Sequence, residues 1–209
     1  MDTRCKVLIL NGSPRKNSNT GLALKEMEKI FDEMDVAYEE VCIGNKTISG
    51  CRACEYCFSH GKCAINDIVN ELADKLMAAD GLVVGSPVYY SSPNGTLIAC
   101  LDRMFESRRN NYAMKVGAAV TCARRGGCAT AFDVINKYFT ISGMPVASSQ
   151  YWNDIYGGAA GEGAQDPEGL QTARVLARNM TFLMKSIKLG KEAYGLPETE
   201  DRILTNFIR

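Results

Sequence analysis

Five short apolar runs alternate with helical segments along this chain of 209 residues. The runs cover residues 7–10, 36–42, 81–85, 116–121 and 145–149. Between and after them, apolar residues recur at helical spacing over 21–34, 67–79, 96–107, 129–141 and 168–188. Because several runs are continuously apolar rather than alternating, they indicate strands that are buried on both faces. The pattern predicts an α/β protein: a doubly wound, five-stranded parallel sheet with helices on both faces.

The predicted sheet defines one domain over residues 1–189, with the flavodoxin-like strand order 2-1-3-4-5. A cysteine-rich insertion at 49–64 lies between the second strand and the next helix, and the glycine-rich segment 157–166 is predicted to be a mobile loop. Residues 190–209 lack core periodicity and are predicted to form a C-terminal tail. The apolar residues of this tail are Leu196, Ile203, Leu204, Phe207 and Ile208. Because a monomer leaves such residues uncovered, we expect a homodimer or homotetramer that buries them.

The composition of the chain bears on its cellular compartment and on the classes of partner it can bind. The 24 basic and 24 acidic side chains give zero net charge, so nothing calls for a nucleic-acid or membrane partner. No apolar stretch approaches the roughly 18 residues of a membrane span, and the first residues do not resemble a signal peptide. We therefore predict a cytoplasmic protein, in which the nine cysteines stay reduced. Five scattered cysteines are predicted to be small core residues: Cys5, Cys42, Cys100, Cys122 and Cys128.

The other four cysteines crowd into thirteen residues with the spacing C-x2-C-x2-C-x5-C. They are Cys51, Cys54, Cys57 and Cys63. Compact runs of this kind indicate iron–sulfur ligation. Two alternatives stay open at this point. Four thiolates also suit zinc, although structural zinc sites usually pair two knuckles across a longer gap, and Cys54 with Cys57 forms a C-x-x-C pair of the redox-active type.

The only histidine, His60, lies inside this cysteine run. It is predicted to be a solvated loop residue rather than a ligand, because the thiols already supply four ligands. With one histidine the chain lacks the residues for a histidine-rich metal site, and Ser-His-Asp hydrolysis loses support as well.

The loop after the first strand, residues 11–20, has the chemistry of a phosphate site. In a doubly wound sheet it lies at the carboxyl ends of the strands, where ligands bind. Its hydrogen-bond donors are Ser13, Arg15, Ser18, Asn19 and Thr20. The following helix adds free amides and a positive dipole end. The loop is neither G-x-x-x-x-G-K-[ST] nor G-x-G-x-x-G, which argues against Mg-nucleotide hydrolysis and dinucleotide binding; the alternative is a polar loop with an ordinary cap.

Two further loops follow predicted central strands. Residues 85–96 contain two prolines that stiffen the backbone, and Tyr89 and Tyr90 offer flat contact area. Together with backbone N–H groups, these features suit a planar heteroaromatic ring, although a simple turn with two surface aromatics has the same signature. Residues 123–127 combine glycines that allow close backbone approach with arginines that can face a ligand.

Taken together, the three loops resemble those of the NADPH-dependent FMN reductase family of flavodoxin-like proteins. The matching pieces are residues 12–20, 85–90, 92–95 and 124–127. The position and spacing of the cysteine run resemble the iron–sulfur flavoprotein branch, in which the same spacing holds a [4Fe–4S] cluster. The resemblance therefore implies FMN, a [4Fe–4S] cluster, and NAD(P)H as a candidate donor.

The resemblance also implies particular contacts. It assigns contacts with the FMN phosphate to Ser13, Arg15, Ser18, Asn19 and Thr20. It assigns contacts with the flavin ring to Pro87, Val88, Tyr89, Tyr90, Asn94 and Gly95. The turn that flanks the ring comprises Arg124, Arg125, Gly126 and Gly127, and the cluster ligands are Cys51, Cys54, Cys57 and Cys63.

The function implied is an FMN-dependent oxidoreductase that passes electrons between a donor and FMN through the cluster. The electron partner is a small molecule or a protein, with a ferredoxin among the candidates. One alternative is an NAD(P)H-dependent FMN reductase without a cluster. The other is a non-enzymatic electron carrier or a sensor whose cysteines respond to oxidation.

Overall fold

The computed structural model describes residues 4–109, 111–201, 203–205 and 207. Its sheet contains the strands β1 (Lys6–Asn11), β2 (Ala37–Cys42), β3 (Gly81–Tyr89), β4 (Ser92–Pro93), β5 (Val116–Ala123) and β6 (Asp154–Tyr156). Five of them are parallel in the order β2-β1-β3-β5-β6, and β4 pairs antiparallel with the end of β3. Counted over the parallel strands, this confirms the predicted order.

Helices cover both faces of the sheet. They are α1 (Asn19–Glu33), α2 (Tyr56–His60), α3 (Ile68–Met77), α4 (Gly95–Ser107), α5 (Cys128–Ile141) and α6 (Pro167–Tyr194), with a 3₁₀ helix at Glu162–Gln165. One core lies under α1 and α6, and the other lies under α3, α4 and α5. Each fully buried aliphatic side chain in these cores contributes about 1.5–3 kcal/mol. Among the described residues, no helix combines the length and the apolar character needed to cross a membrane.

The edge strand beside β5 differs from the prediction, which placed it at 145–149. Only Val146 of that range forms a bridge to β5, whereas Asp154–Tyr156 forms the continuous ladder. Between these points the chain leaves the sheet, and the Ser149 hydroxyl donates to a carbonyl of α6 at 2.7 Å. The side-chain amide of Asn153 then donates to a β5 carbonyl at 3.0 Å, which returns the chain to the sheet. Polar contacts fix this return, so apolar periodicity could not reveal it.

The final helix is longer than the sequence pattern indicates. It was predicted over 168–188 and runs over Pro167–Tyr194, ending at Gly195, whose φ is 76°. The first residues of the predicted tail, 190–209, are therefore helical. The tail's apolar residues within the described ranges are largely exposed: Leu196, Ile203, Leu204 and Phe207. Ile208 lies outside the described residues.

The hairpin between β3 and β4 contains a strained two-residue turn. Tyr89 pairs with Ser92, and Tyr90 and Ser91 between them have φ values of 49° and 60°. Two left-handed residues define a type I′ turn, which usually carries Asn-Gly because other side chains are strained there. Backbone strain of about 1–3 kcal/mol per residue is often found at functional sites.

Replacing Ser91 with glycine is expected to raise the free energy of unfolding by about 0.5–1 kcal/mol. Glycine removes the left-handed penalty but adds entropy to the unfolded chain, so the gain is smaller than the penalty itself. Urea denaturation measures the change. The control is Ser92→Gly in β4. Because the φ of Ser92 is not left-handed, glycine relieves no strain there and should lower the free energy of unfolding. Equal destabilisation of the two variants would show that the turn is not strained.

Candidate functional site

The loops after β1, β3, β5 and β6 meet at the carboxyl edge of the sheet. The N–H of Gly12 donates to the carbonyl of Gly85 at 2.7 Å, which joins the first two loops. A Cβ on Gly127, whose φ is 93°, would lie 3.0 Å from Val88 Cγ1, so the third loop packs closely on the second. A cavity of about 280 Å³ lies between these loops. It is lined by Ser13, Arg15, Ser18, Asn19, Thr20, Pro87, Val88, Tyr89, Cys122, Ala123, Arg124, Gly157 and Gly158.

One end of this cavity is rich in hydrogen-bonding groups. Four of its residues are buried although polar: Ser13, Ser18, Asn19 and Thr20. Ser18 Oγ caps α1 by accepting from the N–H of Gly21 at 2.9 Å, and the positive end of a 15-residue helix faces this end of the cavity. The more exposed guanidinium of Arg15 donates to the Gly158 carbonyl at 3.3 Å. This combination suits a phosphate group.

The segment 157–166 closes the side of this polar end. Asn19 Nδ2 donates to the carbonyl of Ala159 at 2.9 Å, and Asn19 Oδ1 accepts from the N–H of Gly163 at 3.0 Å. The carboxylate of Glu162 accepts from two consecutive amides at 2.7 and 2.8 Å. The segment was predicted to be a mobile loop, but its backbone is tied to α1 and to itself by these side-chain hydrogen bonds.

The residues predicted to contact a ring divide into two groups. Pro87, Val88 and Tyr89 line the cavity. The side chain of Tyr90 is fully exposed, and Gly95 begins α4. Asn94 is buried as the cap of α4, where its Oδ1 accepts from two amides at 2.8 and 3.2 Å. The structure thus gives Asn94 a role in starting the helix.

The turn after β5 is divided in the same way. Arg124 lines the cavity, whereas Arg125 and Gly126 are exposed outside it. Gly127 contributes close packing between the loops, because a side chain there would collide with Val88 and Ser91.

Four residues of the cavity were not among the predicted contacts, although the first residue of the candidate loop 123–127 is one of them: Cys122, Ala123, Gly157 and Gly158. Burial raises the pKa of the Cys122 thiol to about 11, so this thiol is neutral, and its hydrogen bond with Thr20 opposes the rise only in part. A Cβ on Gly157 would lie 2.5 Å from Asn19 Nδ2 and 2.8 Å from the backbone nitrogen of Gly163, so a side chain there would force the backbone to move. Cys122 and Ala123 lie at the end of β5, where the rule that ligands bind at strand ends would have found them. Gly157 and Gly158 follow β6, whose position was predicted wrongly.

The four cysteines of the run line a second cavity, of about 170 Å³. They are Cys51, Cys54, Cys57 and Cys63, of which the first two are exposed and the others half-buried, all as free thiols. Side chains of α4 complete the wall, among them Arg103 and Glu106. The exposed His60 stacks on Tyr56 with ring centroids 3.7 Å apart and lies outside the lining.

The backbone of the run turns sharply around this second cavity. Ala53 and Glu55 are left-handed, with φ values of 50° and 56°, and α2 with Cys57 begins directly after them. The N–H of Ala53 donates to Cys51 Sγ at 3.4 Å. Left-handed residues cost about 1–2 kcal/mol each, so the loop adopts a strained path that brings its thiols to one cavity.

A buried arginine that sequence analysis missed lies beside the cysteines. The side chain of Arg103 is 1% exposed, and its two terminal nitrogens each donate to Asp67 at 2.7 Å. The same nitrogens donate to the carbonyls of Ser49 and Ile65, and Nε donates to Cys63 Sγ at 3.2 Å. Burial alone would raise the pKa of the Asp67 carboxyl, but hydrogen bonds, first those from Arg103, hold it below its usual value.

The thiol arrangement can be compared with what different metal centres need. Within the described ranges, no three His, Cys, Asp or Glu side chains group closely enough for one metal ion. In a [4Fe–4S] cluster each cysteine binds a different iron, so the ligands surround a volume instead of meeting at a point. Four thiols around one cavity, with N–H donors on two of the sulfurs, fit that ligand set. Burial raises the pKa of the Cys57 thiol, which loses its proton on coordination to a metal.

The two cavities lie towards opposite ends of α4. Tyr89 of the first cavity precedes the helix, whereas Arg103 of the second follows Gly95 by eight residues, a rise of roughly 12 Å. The segment after β2 does start at the edge of the first cavity, since a Cβ on Gly44 would lie 2.3 Å from the Gly12 carbonyl oxygen. The cysteines themselves lie farther along that segment.

The doubly wound sheet and its polar cavity at the strand ends define a flavodoxin-like protein. The family described as NADPH-dependent FMN reductase matches residues 5–157. An iron–sulfur flavoprotein of Methanocaldococcus jannaschii is 34% identical over 191 residues, covering 88% of this chain and 99% of that protein. An iron–sulfur flavoprotein of Methanosarcina thermophila is 31% identical over 192 residues, covering 90% and 99%. The chain belongs to the NADPH-dependent FMN reductase family, in its iron–sulfur flavoprotein branch.

Solved structures support the fold. RosB with a bound riboflavin-phosphate intermediate superposes with a TM-score of 0.73 at 17% identity, covering 98% of this chain and 92% of that one. The NAD(P)H:quinone oxidoreductase from Methanothermobacter marburgensis gives 0.67 at 16% identity, with coverages of 85% and 96%. Family membership makes the chain an FMN-dependent oxidoreductase and supports FMN as its flavin.

Proposed function

We propose that this FMN-dependent oxidoreductase passes electrons between a donor and FMN through a [4Fe–4S] cluster. The proposed cluster ligands are Cys51, Cys54, Cys57 and Cys63. The observation that carries the proposal is that all four line one cavity. Two relatives of this chain, 34% and 31% identical to it, are named iron–sulfur flavoproteins. Soft thiolates are the ligands that iron–sulfur clusters select.

The first cavity is the proposed FMN site. Ser18, Thr20 and the start of α1 would bind the phosphate, with Arg15 adding charge from the exposed side. Pro87, Val88 and Tyr89 would face the ring, and Arg124 would flank it. When bound, FMN supplies the ability to take two electrons and release them singly. The protein supplies orientation and excludes water by burying the polar residues of the polar end.

A second candidate is an NAD(P)H-dependent FMN reductase in which the cysteines hold no cluster. The match to the family as a whole favours it, because that family is described without reference to iron. In this reading Cys51 and Cys54, which are exposed, are free thiols.

A non-enzymatic carrier or sensor is the third candidate, in which the same exposed thiols respond to oxidation.

We also propose that the chain forms a homodimer or homotetramer in the cytoplasm. The tail leaves large apolar side chains exposed, including Ile203, Leu204 and Phe207, each more than four-fifths exposed. An assembly would cover such residues. Light scattering at micromolar concentration should give a mass at least twice that of the 22.8 kDa chain. A mass of one chain at every concentration would remove this proposal.

The deciding experiment is anaerobic purification followed by measurement of iron, sulfide and FMN per chain. The proposed function predicts about four iron and four sulfide, with separate flavin and cluster absorbance bands. FMN without iron, even after anaerobic reconstitution, would support the reductase reading. The electron donor is then tested with NAD(P)H and with a reduced ferredoxin. A direct reductase consumes NAD(P)H, an enzyme with a protein donor turns over with the reduced ferredoxin, and a carrier consumes no NAD(P)H.

A further inference from the structure

We propose that Arg103 is a positioning residue for the cysteine cavity. It fixes Cys63 in the cavity wall and raises the reduction potential of the centre held there. This inference rests on the proposed function, since it concerns the cluster that the function assigns to this cavity.

The geometry shows why Arg103 holds the cysteine run in place. A guanidinium has five N–H groups, and every one of them has a partner here: two bonds to Asp67, two to backbone carbonyls and one to Cys63 Sγ. The two carbonyls belong to Ser49, before the first cysteine, and Ile65, after the last one. One rigid side chain therefore binds both ends of the run.

The neighbouring contacts of Cys63 restrict it further. Its backbone N–H donates to Asn70 Oδ1 at 2.8 Å, and Asn70 Nδ2 donates back to the Cys63 carbonyl at 3.0 Å. With the main chain fixed by Asn70 of α3 and the sulfur fixed by Arg103 of α4, Cys63 is held from two helices. Cys51 and Cys54, by contrast, are exposed.

Stability alone does not account for an arginine at this position. Replacing a buried ion pair with apolar residues of similar volume is often neutral or stabilising, and the same face of α4 carries the apolar Cys100 and Met104, both buried. What an apolar residue cannot supply is a positively charged donor aimed at a sulfur ligand.

The electrostatic consequence has a definite sign. Reduction adds an electron to a cluster, so a nearby positive charge and an N–H donor on a ligand sulfur favour the reduced form. Removing the charge of Arg103 should lower the potential. Removing the opposing charge of Asp67 should raise it. A purely structural role would give no such opposite pair of shifts.

The test uses Arg103→Gln, Arg103→Lys and Asp67→Asn in the anaerobically prepared full chain. Asparagine keeps the cap that Asp67 forms on α3, where it accepts from the Val69 N–H at 3.1 Å. The matched control is Arg174→Gln, because Arg174 of α6 also forms an ion pair with another helix, through Glu26 of α1, but lies outside the cavity lining. FMN content reports folding, chemical analysis reports iron, and a redox titration followed by electron paramagnetic resonance reports the potential.

Arg103→Gln should shift the reduction equilibrium up to about tenfold towards the oxidised form, which is ~59 mV for one electron. It should also lower iron retention several-fold. Arg103→Lys keeps the positive charge but loses the planar set of five N–H donors, so its potential should shift in the same direction by a smaller amount. Asp67→Asn should shift the potential the opposite way, and Arg174→Gln should match the parent.

Several outcomes would overturn the inference. In the first, the parent binds its full iron, but the potentials of Arg103→Lys and Asp67→Asn are unchanged or shift in the same direction. This result would refute the role of Arg103 and leave the proposed function intact. If Arg103→Gln loses FMN and fails to fold, the other two variants still decide. A parent that binds FMN but takes up no iron would refute the proposed function, and this inference with it.

Discussion

Serine in place of Cys57 or Cys63 is expected to lower bound iron at least tenfold while FMN stays bound. The parent should contain about four iron per chain, as the cluster type requires, and a serine oxygen is a poor substitute for a soft thiolate. FMN should be retained because the first cavity lies towards the other end of α4 and shares no lining residue with the cysteine cavity. Iron and flavin analysis after anaerobic reconstitution measures both quantities.

Cys42→Ser is the matched control for these variants. Four of the five scattered cysteines are buried, as predicted, but Cys42 is exposed at the end of β2. It lies outside the lining of the cysteine cavity, so its loss should leave iron unchanged. If Cys42→Ser loses as much iron as Cys57→Ser, the iron is not held by the run. Full iron in Cys57→Ser and Cys63→Ser would exclude these two residues as ligands.

The sheet order could be predicted because burial on both faces leaves an unambiguous pattern. Every residue of β5 is buried, and the runs 7–10 of β1 and 81–85 of β3 contain no polar side chain, which is typical of strands buried on both faces. The edge strand β6 has three residues and depends on the polar contacts of Asn153 and Ser149. Hydrophobic periodicity contains no information about such contacts.

The polar end of the first cavity, which we propose as the phosphate site, was also within reach of the sequence. A buried strand, a loop rich in hydroxyl and amide groups and a helix occur in that order, and the structure brings Ser13, Ser18 and Thr20 together where the pattern indicates. What the sequence could not give is the position of a side chain relative to its own turn. Tyr90 and Asn94 lie in the predicted loop, but hairpin geometry directs one to solvent and capping directs the other into the core.

Arg103 was missed for a different reason. It occurs in the predicted helix at 96–107 beside Cys100 and Met104, and nothing local shows that its partner is Asp67, which is 36 residues away. A charged residue on an otherwise apolar helix face is the one available signal. Such a residue needs a partner of opposite charge, and here that partner is Asp67, which follows the cysteine run in the chain.

Thr20→Val is expected to weaken FMN binding by roughly 10- to 100-fold. Thr20 is 1% exposed and lines the polar end of the first cavity, and a hydrogen bond to a charged group contributes about 1.5–3 kcal/mol. Valine has nearly the same shape, so the change removes the hydroxyl and little else. Titration of apo-protein with FMN, followed by the quenching of flavin fluorescence, measures the dissociation constant.

Two comparisons make this result specific to the phosphate site. Thr181→Val also removes a buried hydroxyl, one that donates to Ala177 in α6 at 2.8 Å, and it should affect stability without changing FMN affinity. Arg15→Ala should weaken FMN only a few-fold, and less at high salt, because Arg15 is exposed and its charge is screened. Parent-like affinity in Thr20→Val, or an equal loss in Thr181→Val, would mean that the phosphate lies elsewhere. A larger, salt-sensitive loss in Arg15→Ala would instead show that charge at the rim, rather than the buried donors of α1, dominates phosphate binding.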